Sequence, residues 1–255
     1  MLYKSLHKYC YHIINYFLIR QRLKFLLVYH FEKKIRLGSN KDGGYVIGDL
    51  TGGYDCYISA GVGDEESFSV AFLEKYCISP KNSFAFDGTI QHYPSSFKNN
   101  ITFYKKNIGS YNDQQHTNLI EIIQNFDNIF LKMDIEGGEF EWLNSLDDKV
   151  LSKFKQIVIE IHGAVNFDRS IRNSAKNLSL KKLSLTHYII HAHSNNNSPI
   201  LYRIPDIIEL TYVNKKYFTI KPKQNQLSFP IEGLDFPNNP ELTDIHLNFY
   251  PFVVL

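Results

Sequence analysis

The sequence predicts an α/β protein with a doubly wound, mostly parallel β-sheet that carries an antiparallel hairpin at one edge. Strand-like and helix-like segments alternate along residues 54–184, which is typical of repeated β-α-β units. Most of the strand-like segments are apolar throughout, as expected of strands that are covered on both faces. The last two of them, residues 187–193 and 206–213, follow one another without a helix between them, which predicts the hairpin.

The individual elements follow from the spacing of the apolar residues. Continuous apolar runs predict the remaining strands at residues 54–60, 83–88, 101–107, 128–134 and 156–163. Apolar residues at helical spacing predict helices at residues 64–77, 116–126, 138–154 and 170–184. Residues 37–50 are rich in glycine and are interpreted as turn-like.

The 255 residues are enough for one large domain, and we divide the chain into three parts. These are an N-terminal helical segment (1–36), the α/β domain (37–220) and an irregular C-terminal strap (221–255) that packs on the same domain. The first segment has the pattern of an amphipathic helix. It is predicted to pack on the domain or on a second subunit, as in a homodimer, and weak contact with a membrane surface is the alternative.

Composition argues against several functional classes. The net charge of +2 gives no electrostatic reason to expect a nucleic-acid partner. No stretch reaches the roughly 18–20 apolar residues that a transmembrane helix needs. The three cysteines, Cys10, Cys56 and Cys77, form no paired framework, which favours a reducing, cytoplasmic location.

Ligands of open α/β sheets bind beyond the carboxyl ends of the strands, so residues at these ends are the candidates for a site. Gly61 and Gly63 follow the first of the parallel strands and let a ligand approach the backbone N–H groups. Asp87 ends the next strand, where a carboxylate can accept both hydroxyl hydrogens of a ribose. Asn107 follows the third, and its amide is suited to an adenine edge. Glu66 replaces the third glycine of a dinucleotide-binding fingerprint, and an acid there is unfavourable beside a pyrophosphate.

Acidic and imidazole side chains follow the later strands. Asp134 and Glu136 come at the end of a predicted strand, ahead of a Gly-Gly turn, and are candidates for catalysis. Glu139 falls in the first turn of the following helix, where the helix dipole explains an acid. Glu160 and His162 lie on one face of the next strand end, where the acid can orient the imidazole as a general base. A later strand end supplies side chains of the kind that bind sugar hydroxyls, which are His193, Asn195 and Asn196.

A metal site is an alternative use of some of these residues. His191 and His193 together with Asp134 or Glu160 would suit a divalent ion. No HExxH motif or comparable spacing of metal ligands is present, so no metal ligand is predicted.

Several of these segments resemble one known family. The segment KMDIEGGEFEWL resembles the Lys-x-Asp-x-Glu-Gly-x-Glu segment of the FkbM-type S-adenosylmethionine-dependent methyltransferases. ISAGVGDEESF resembles the first motif of that family, and VIEIHG resembles its following strand. NKDGGYVI and IPDIIELTYV resemble elements of a branch that modifies the sugars of surface polysaccharides.

The resemblance covers roughly residues 37–245 and implies a class I methyltransferase, with a Rossmann-like fold and a seven-stranded sheet. It implies S-adenosyl-L-methionine as cofactor and a sugar hydroxyl as acceptor, on a nucleotide-activated sugar such as a heptose or on a capsule or lipopolysaccharide glycan. The cofactor-binding residues that it implies are Asp42, Gly43, Gly44, Tyr45, Ala60, Gly61, Gly63, Asp87, Asn107 and Ile108. The first motif of the family normally has an acid before its glycines, where this chain has Ser59 and Ala60. Asp42 and the two glycines after it are interpreted as supplying part of that site.

In this interpretation His162 or Asp134 is the general base, and Glu136 and Glu160 orient the acceptor or the base. Two other interpretations stay open. An NAD-linked oxidoreductase or epimerase of nucleotide sugars would use the same sheet, glycine turn and Asp87, although no YxxxK-type pair stands in a plausible position. A non-catalytic binding module would keep the fold without the activity.

Overall fold

The protein is described by a computed structural model of residues 23–96, 101–164, 172–201 and 203–254. The predicted N-terminal helix, with its contacts to a second subunit or a membrane surface, falls mainly on residues 1–22 and lies outside the described residues. Within the described part of the chain, no helix combines the length and the apolar character that crossing a bilayer requires.

The strands and helices are numbered in chain order. The strands are β1 (Lys34–Leu37), β2 (Tyr45–Gly48), β3 (Cys56–Ala60), β4 (Ser83–Phe86), β5 (Thr102–Tyr104), β6 (Asn107–Ile108), β7 (His116–Thr117), β8 (Ile129–Met133), β9 (Phe154–His162), β10 (His187–Ser194), β11 (Ile200–Leu201), β12 (Ile204–Pro205) and β13 (Ile207–Asn214). The helices are α1 (Ser67–Tyr76), α2 (Ile120–Ile123), α3 (Glu139–Ser145), α4 (Asp148–Leu151) and α5 (Arg172–Thr186). Single 3₁₀ turns lie at Pro80–Asn82 and Lys215–Tyr217.

Seven strands form the central sheet in the order β10-β13-β9-β8-β3-β4-β5. The pairs from β9 to β5 are parallel, whereas β13 is antiparallel to both of its neighbours, β9 and β10. This arrangement confirms the predicted fold class, including the antiparallel hairpin at one edge. The chain builds β4 and β5 on one side of β3 and then crosses to β8 on the other. The boundary between β3 and β8 is therefore the topological switch point, where open α/β sheets bind ligands.

Adjacent residues of the central strands pack on opposite faces of the sheet, which explains why these strands are apolar throughout. Tyr57 and Phe130 are paired in register on β3 and β8 and lie in an aromatic cluster with Phe72 of α1. The rings of Phe72 and Phe130 have their centroids 4.0 Å apart. Ile58, the next residue on β3, belongs to a second cluster that includes the fully buried Trp142 of α3. The sheet is thus covered by helices on both faces.

Two predicted helices are shorter than their apolar patterns indicate. The predicted helix at residues 138–154 divides into α3 and α4, because the Asp147 side chain accepts a hydrogen bond from the Val150 N–H (2.7 Å) and caps a new helix. The predicted helix at residues 116–126 is reduced to α2, because Leu119 just before it has a left-handed backbone (φ 65°). The predicted strand at residues 101–107 likewise divides into β5 and β6.

A β-hairpin precedes the central sheet and was not predicted from the sequence. β1 pairs antiparallel with β2, and both lie in segments interpreted as helical or turn-like. Arg36 of β1 closes the connecting loop, because its guanidinium donates to the carbonyls of Ser39 (2.8 Å) and Lys41 (2.9 Å). The hairpin packs against β13, and the Thr211 hydroxyl donates to the Val46 carbonyl (2.5 Å).

The segment that follows residue 220 packs on the domain as irregular chain. Asn225 N–H donates to the Val28 carbonyl (2.9 Å), and Phe229 forms an isolated bridge with Leu247. Phe229, Leu247 and Phe252 are fully buried in the larger core cluster. The division of the chain into three parts stays a prediction, since its first part lies mostly outside the described residues.

Candidate active site

The ends of β3 and β8 touch one another through backbone atoms. Asp134 N–H donates to the Ala60 carbonyl (2.8 Å), and Gly61 N–H donates to the Phe86 carbonyl of β4 (2.9 Å). Gly61 has φ +80°, and a Cβ atom on it would lie 1.6 Å from the Asp134 carbonyl oxygen. Only glycine fits this approach. The glycine thereby places Asp134 at the switch point of the sheet.

Two adjoining cavities of about 330 and 220 Å³ lie at this switch point, together within the size range of ligand pockets. We call them the groove. Five residues line both cavities, which are Gly61, Asp87, Thr89, Asp134 and Glu136. The larger cavity is also lined by Asp42, Gly43, Tyr45, Val62, Gly63, Asp64, Glu65 and Lys132, and the smaller one by Phe86, Lys106, Asn107, Ile108 and Ile135. Ten of the residues predicted for the cofactor and for catalysis therefore reach the groove at their own strand ends or loops.

Asp87 holds in place the loop that contains Gly61 and Gly63, which we call the glycine loop. Its Oδ2 accepts the N–H groups of Val62 (3.0 Å) and Gly63 (2.9 Å), and its Oδ1 accepts both the N–H (2.7 Å) and the hydroxyl (2.6 Å) of Thr89. Burial raises the pKa of Asp87, but these hydrogen bonds outweigh burial and hold the pKa below its usual value. The carboxylate is thus ionised and faces both cavities, and a ribose would compete with the Thr89 hydroxyl for it. Its predicted contact with ribose stays a prediction.

His162 lies beside Asp134 and Glu136 among four carboxylates, and neither it nor Glu160 lines either cavity. Its Nδ1 is 3.1 Å from Glu139 Oε1, and its Nε2 is 3.2 Å from Glu136 Oε2, 3.4 Å from Glu160 Oε1 and 3.9 Å from Asp134 Oδ1. Burial lowers the pKa of His162, but the hydrogen bonds to Glu139 and Glu160 outweigh it and raise the pKa to about 11. We call these five residues the acid–imidazole cluster.

The carboxylates of this cluster have different surroundings. The Glu139 side chain is 0% exposed and also accepts the Gly137 N–H (3.0 Å), so it is fixed below the imidazole. The Oδ1 atom of Asp134 is buried and accepts no hydrogen bond. Burial raises the pKa of both Asp134 and Glu160 above the usual carboxyl value. Glu136 is 82% exposed and has a left-handed backbone (φ 58°), an arrangement that a non-glycine residue adopts at a cost of about 1 kcal/mol or more.

A buried ion pair that supports the glycine loop from inside the protein was not predicted from the sequence. Lys132 is buried on β8, and its ammonium group donates to the Gly61 carbonyl and lies 3.7 Å from Glu66 Oε1. Glu66 is 1% exposed and accepts further hydrogen bonds from Ser59 (2.9 Å) and Ser69 (2.5 Å). Its carboxylate therefore points into the protein and not toward the groove. The acid in place of the third fingerprint glycine is explained by the buried lysine, a pairing between residues 66 positions apart that no local pattern reveals.

Some predicted cofactor residues lie behind the groove instead of lining it. Ala60 is fully buried at the end of β3 and accepts the Asp134 N–H described above. Gly44 lies in the loop of the first hairpin, where a Cβ atom would stand 1.9 Å from the Ser39 carbonyl oxygen. Asp42 does line the larger cavity, and it is also tied to the C-terminal segment, because the Asn238 amide donates to its Oδ1 (3.3 Å). The predicted contacts of these residues with a cofactor stay predictions.

Two of the three predicted sugar-binding residues already have partners within the protein. His193 is 2% exposed, with Nδ1 3.2 Å from Glu209 and Nε2 3.1 Å from Asp244. The Asn196 amide donates to two carbonyls of the C-terminal segment, those of residues 239 (2.9 Å) and 242 (3.1 Å). Neither residue lines the groove. The Asn195 amide does reach the acid–imidazole cluster, donating to Glu160 Oε1 (3.3 Å). Sugar binding by these three residues stays a prediction.

The metal alternative that combines His191 and His193 with Asp134 or Glu160 does not form. His191 Nε2 lies 2.7 Å from Asp235, and both ring nitrogens of His193 have carboxylate partners of their own. Among the residues that the structure describes, one other set of acids and histidines has ligand atoms within 4.8 Å of one another, and it consists of Asp134, Glu160 and His162.

Comparison with solved structures finds four similar chains, of which two are described here. One is in the structure described as a fibrillarin/Nop5p complex, with 11% identity and a TM-score of 0.34, covering 63% of this chain and 72% of that chain. The other is precorrin-6y C5,15-methyltransferase from Geobacter metallireducens GS-15, with 12% identity and a TM-score of 0.31, covering 65% of this chain and 84% of that chain. Comparison with curated proteins finds no match. The fold assignment rests on the strand order above and not on these similarities.

Comparison with family models finds the methyltransferase FkbM domain, which matches residues 34–197. The matched segment is more than half of the 255 residues and contains the glycine loop, Asp87 and the whole acid–imidazole cluster. The segments KMDIEGGEFEWL, ISAGVGDEESF and VIEIHG fall within it, whereas IPDIIELTYV lies beyond residue 197. The chain therefore belongs to the FkbM methyltransferase domain family.

Proposed function

We propose that the protein is an S-adenosylmethionine-dependent O-methyltransferase whose acceptor is a sugar hydroxyl. Membership of a methyltransferase family supports methyl transfer. The observation that carries the finer proposal is that one groove joins a glycine-loop end to an acid–imidazole end, with Asp134 and Glu136 lining both cavities. The acceptor is a nucleotide-activated sugar such as a heptose, or a capsule or lipopolysaccharide glycan.

The glycine-loop end fits S-adenosylmethionine. Gly63 has φ +57° and open space where a Cβ atom would stand, so a ligand can lie against the loop. Asp87 faces both cavities, and Asn107 and Ile108 line the smaller one, which suits a ribose and an adenine. Carboxylates of Asp42 and Glu65 line the larger cavity, which suits the amino group of the methionine moiety. When bound, the cofactor supplies a methyl group on a cationic sulfur, and nearby carboxylates are compatible with that charge.

The acid–imidazole end provides the groups that act on the acceptor. We assign the role of general base to Asp134 rather than His162, because the Oδ1 atom of Asp134 is free of hydrogen bonds whereas both nitrogens of His162 face carboxylates. Asp134 accepts the proton of the acceptor hydroxyl, a contribution of about 10²–10⁴-fold to the rate. Glu136, exposed at the rim, binds a neighbouring hydroxyl.

A sugar acceptor is supported by the polarity of this end of the groove. Carboxylate oxygens of Asp134, Glu136 and Glu160 accept hydroxyl hydrogens in pairs, as a vicinal diol requires, and the Asn195 amide lies beside them. An apolar acceptor would have to desolvate these carboxylates without replacing their hydrogen bonds.

The proposal is tested by incubating the protein with S-adenosylmethionine and a panel of nucleotide sugars, and by measuring methylated product by mass spectrometry. We expect one sugar class to gain a methyl group, whereas aliphatic alcohols and phenols do not. Asp134→Asn should lose turnover by more than about 100-fold and keep cofactor affinity by calorimetry. Glu141→Gln, which removes an acid on the exposed face of α3, is the matched control and should keep both.

Asp87→Asn tests the cofactor end separately and should weaken S-adenosylmethionine binding, because it removes a carboxylate that faces both cavities. Stabilisation of the protein by NAD and not by S-adenosylmethionine in thermal unfolding would instead support the oxidoreductase alternative. Tight cofactor binding with methyl transfer only to non-sugar acceptors would leave the methyltransferase in place and reject the sugar.

A further inference from the structure

We propose that Asp134, Glu160 and His162 bind a divalent metal ion at the acid–imidazole end of the groove, and that Mn²⁺ is an ion that this site accepts. The binding site itself is inferred from the geometry of the three side chains. Its use in activating a sugar hydroxyl rests on the proposed function, and the experiments below separate the two.

The three side chains come from the ends of adjacent strands. Asp134 follows β8, whereas Glu160 and His162 lie two residues apart at the end of β9 and so project on one face. Their ligand atoms lie within 4.8 Å of one another. His162 Nε2 is 3.4 Å from Glu160 Oε1 and 3.9 Å from Asp134 Oδ1. Ligands that share one ion at about 2.1 Å each are about 3–4 Å apart, and both distances from His162 Nε2 fall in that range.

The cluster contains more carboxyl groups than its one imidazole can pair with. Four carboxylates face a single imidazole, which contributes one positive charge at most. The Glu160 side chain is 5% exposed, yet its contacts to His162 and to the Asn195 amide are long, at 3.4 and 3.3 Å. Asp134 Oδ1 is buried without any hydrogen bond, which is costly for a carboxylate oxygen. A cation between these atoms would satisfy them all.

The second layer of contacts is arranged as it is around metal-bound histidines. Glu139 is fully buried and accepts the Nδ1 proton of His162, which leaves Nε2 as the nitrogen directed at Asp134 and Glu160. A carboxylate on the far nitrogen fixes the ring and its tautomer and makes the near nitrogen a better ligand. Glu139 is itself anchored by the Gly137 N–H (3.0 Å). This arrangement explains why Glu139, an acid in the first turn of α3, is buried and not exposed to solvent.

Access and open coordination positions are both available. Asp134 and Glu136 line the groove, so an ion held by Asp134 would face it. Glu136 Oε2 is 3.2 Å from Nε2, and its side chain is mostly exposed, which makes it a replaceable fourth ligand. The left-handed backbone of Glu136 holds this carboxylate over the site. If the Glu136 carboxylate left the ion, coordination positions would be open to water or to two hydroxyls of an acceptor.

The ligand set selects among ions by its chemistry. Carboxylate and water oxygens suit Mg²⁺ and Mn²⁺, whereas imidazole suits transition metals. Two carboxylates, one imidazole and open positions therefore favour Mn²⁺ over Mg²⁺. The absence of a thiolate in the set argues against a structural zinc site.

Such an ion would help to activate the acceptor in the proposed reaction. A sugar hydroxyl bound to the ion loses its proton more easily, because the ion stabilises the alkoxide. The O–H bond would break and its proton would pass to the Asp134 oxygen that does not bind the ion. The hydroxyl oxygen would keep the electron pair and form a bond to the methyl carbon as the bond from that carbon to the sulfur breaks. The His162 nitrogens take no part in this proton transfer.

The site is tested without cofactor or acceptor. Full-length protein treated with EDTA and exchanged into metal-free buffer is titrated with Mn²⁺, and the free ion is followed by electron paramagnetic resonance. We expect one ion per chain, with binding weakened by more than about 100-fold in Asp134→Asn and in Glu160→Gln. Glu139→Gln keeps the three ligands and should weaken binding about 10–100-fold. Asp64→Asn removes an equal charge from the same cavity without removing a ligand and should change binding by less than about threefold.

Circular dichroism and S-adenosylmethionine affinity in EDTA show whether each variant is folded. No saturable binding of Mn²⁺ to the wild-type protein would overturn the proposal, as would equal losses in Asp64→Asn and Asp134→Asn. Mn²⁺ binding without cofactor binding would keep the metal site and reject the methyltransferase proposal. Cofactor binding and methyl transfer that EDTA does not reduce would keep the proposed function and reject the role of the metal in activating the acceptor.

Discussion

Replacing Gly61 by alanine tests the packing on which the whole groove depends. Two effects add. The first is the left-handed backbone at φ +80°, which costs an alanine about 1–2 kcal/mol. The second is the new Cβ atom, which would stand 1.6 Å from the Asp134 carbonyl oxygen where real Cβ atoms stay beyond 3.0 Å. The ends of β3 and β8 must therefore separate.

Separation of the strand ends breaks the hydrogen bond from Asp134 N–H to the buried Ala60 carbonyl, now 2.8 Å long. An unsatisfied buried group of this kind costs about 1–3 kcal/mol. Together with the backbone term, Gly61→Ala should lower the free energy of unfolding by about 2–5 kcal/mol. Because Asp134 moves with the strand, cofactor affinity should also fall by more than about tenfold, and turnover should fall by about 100-fold or more.

The matched control is Gly233→Ala. Gly233 has nearly the same backbone angle, φ +78°, and nothing lies within 4 Å of its Cβ position. This variant should lose only the backbone term of about 1–2 kcal/mol. The measurement is urea unfolding of both variants, followed by calorimetry with S-adenosylmethionine. Equal losses of stability in the two variants would refute the close approach of β3 and β8 as the reason for glycine at position 61.

Three further predictions concern stability. Burial lowers the pKa of His187 from 6.5 to about 4, so the contribution of this neutral imidazole to stability is complete above pH 6.5. About 3 kcal/mol of the free energy of unfolding is lost as the pH falls from 6.5 to 4. Urea unfolding of His187→Asn should therefore show a shallower pH dependence than that of the wild type. Asp147→Ala removes the cap of α4 and should lower the free energy of unfolding by about 1 kcal/mol, whereas Asp147→Ser should lose little. Asp244→Ala leaves the buried Nε2 of His193 without its carboxylate and should lower the free energy of unfolding by about 2 kcal/mol, measured by thermal or urea unfolding. An unchanged unfolding midpoint would show that Glu209 alone satisfies this histidine.

The parts of the fold that could be predicted are those that local sequence encodes. Central strands are covered on both faces, so they appear as uninterrupted apolar runs, and the absence of a helix between β10 and β13 shows as a short connection. Parallel strands end at one edge of a sheet. For this reason Gly61, Asp87 and Asp134, found only as strand-end residues, meet in one groove.

The parts that could not be predicted depend on contacts between distant segments. The β1–β2 hairpin has strands of four residues around a glycine-rich loop, and nothing in that stretch distinguishes it from a long turn. Lys132 and Glu66 meet only because β8 lies beside β3. His193 looks like a free polar residue at a strand end until the C-terminal segment brings Asp244 to it. Spacing along the chain contains no information on any of these pairs.

The position of β13 has a practical consequence for work on this family. The matched FkbM segment ends at residue 197, whereas β13 begins at Ile207 and inserts between β9 and β10. Protein expressed to the family boundary would contain the entire groove lining but would leave β9, which carries Glu160 and His162, as an unpaired edge with exposed backbone groups. Such a fragment is expected to aggregate, and a loss of activity in it would report on a missing neighbour strand instead of on the chemistry of the groove.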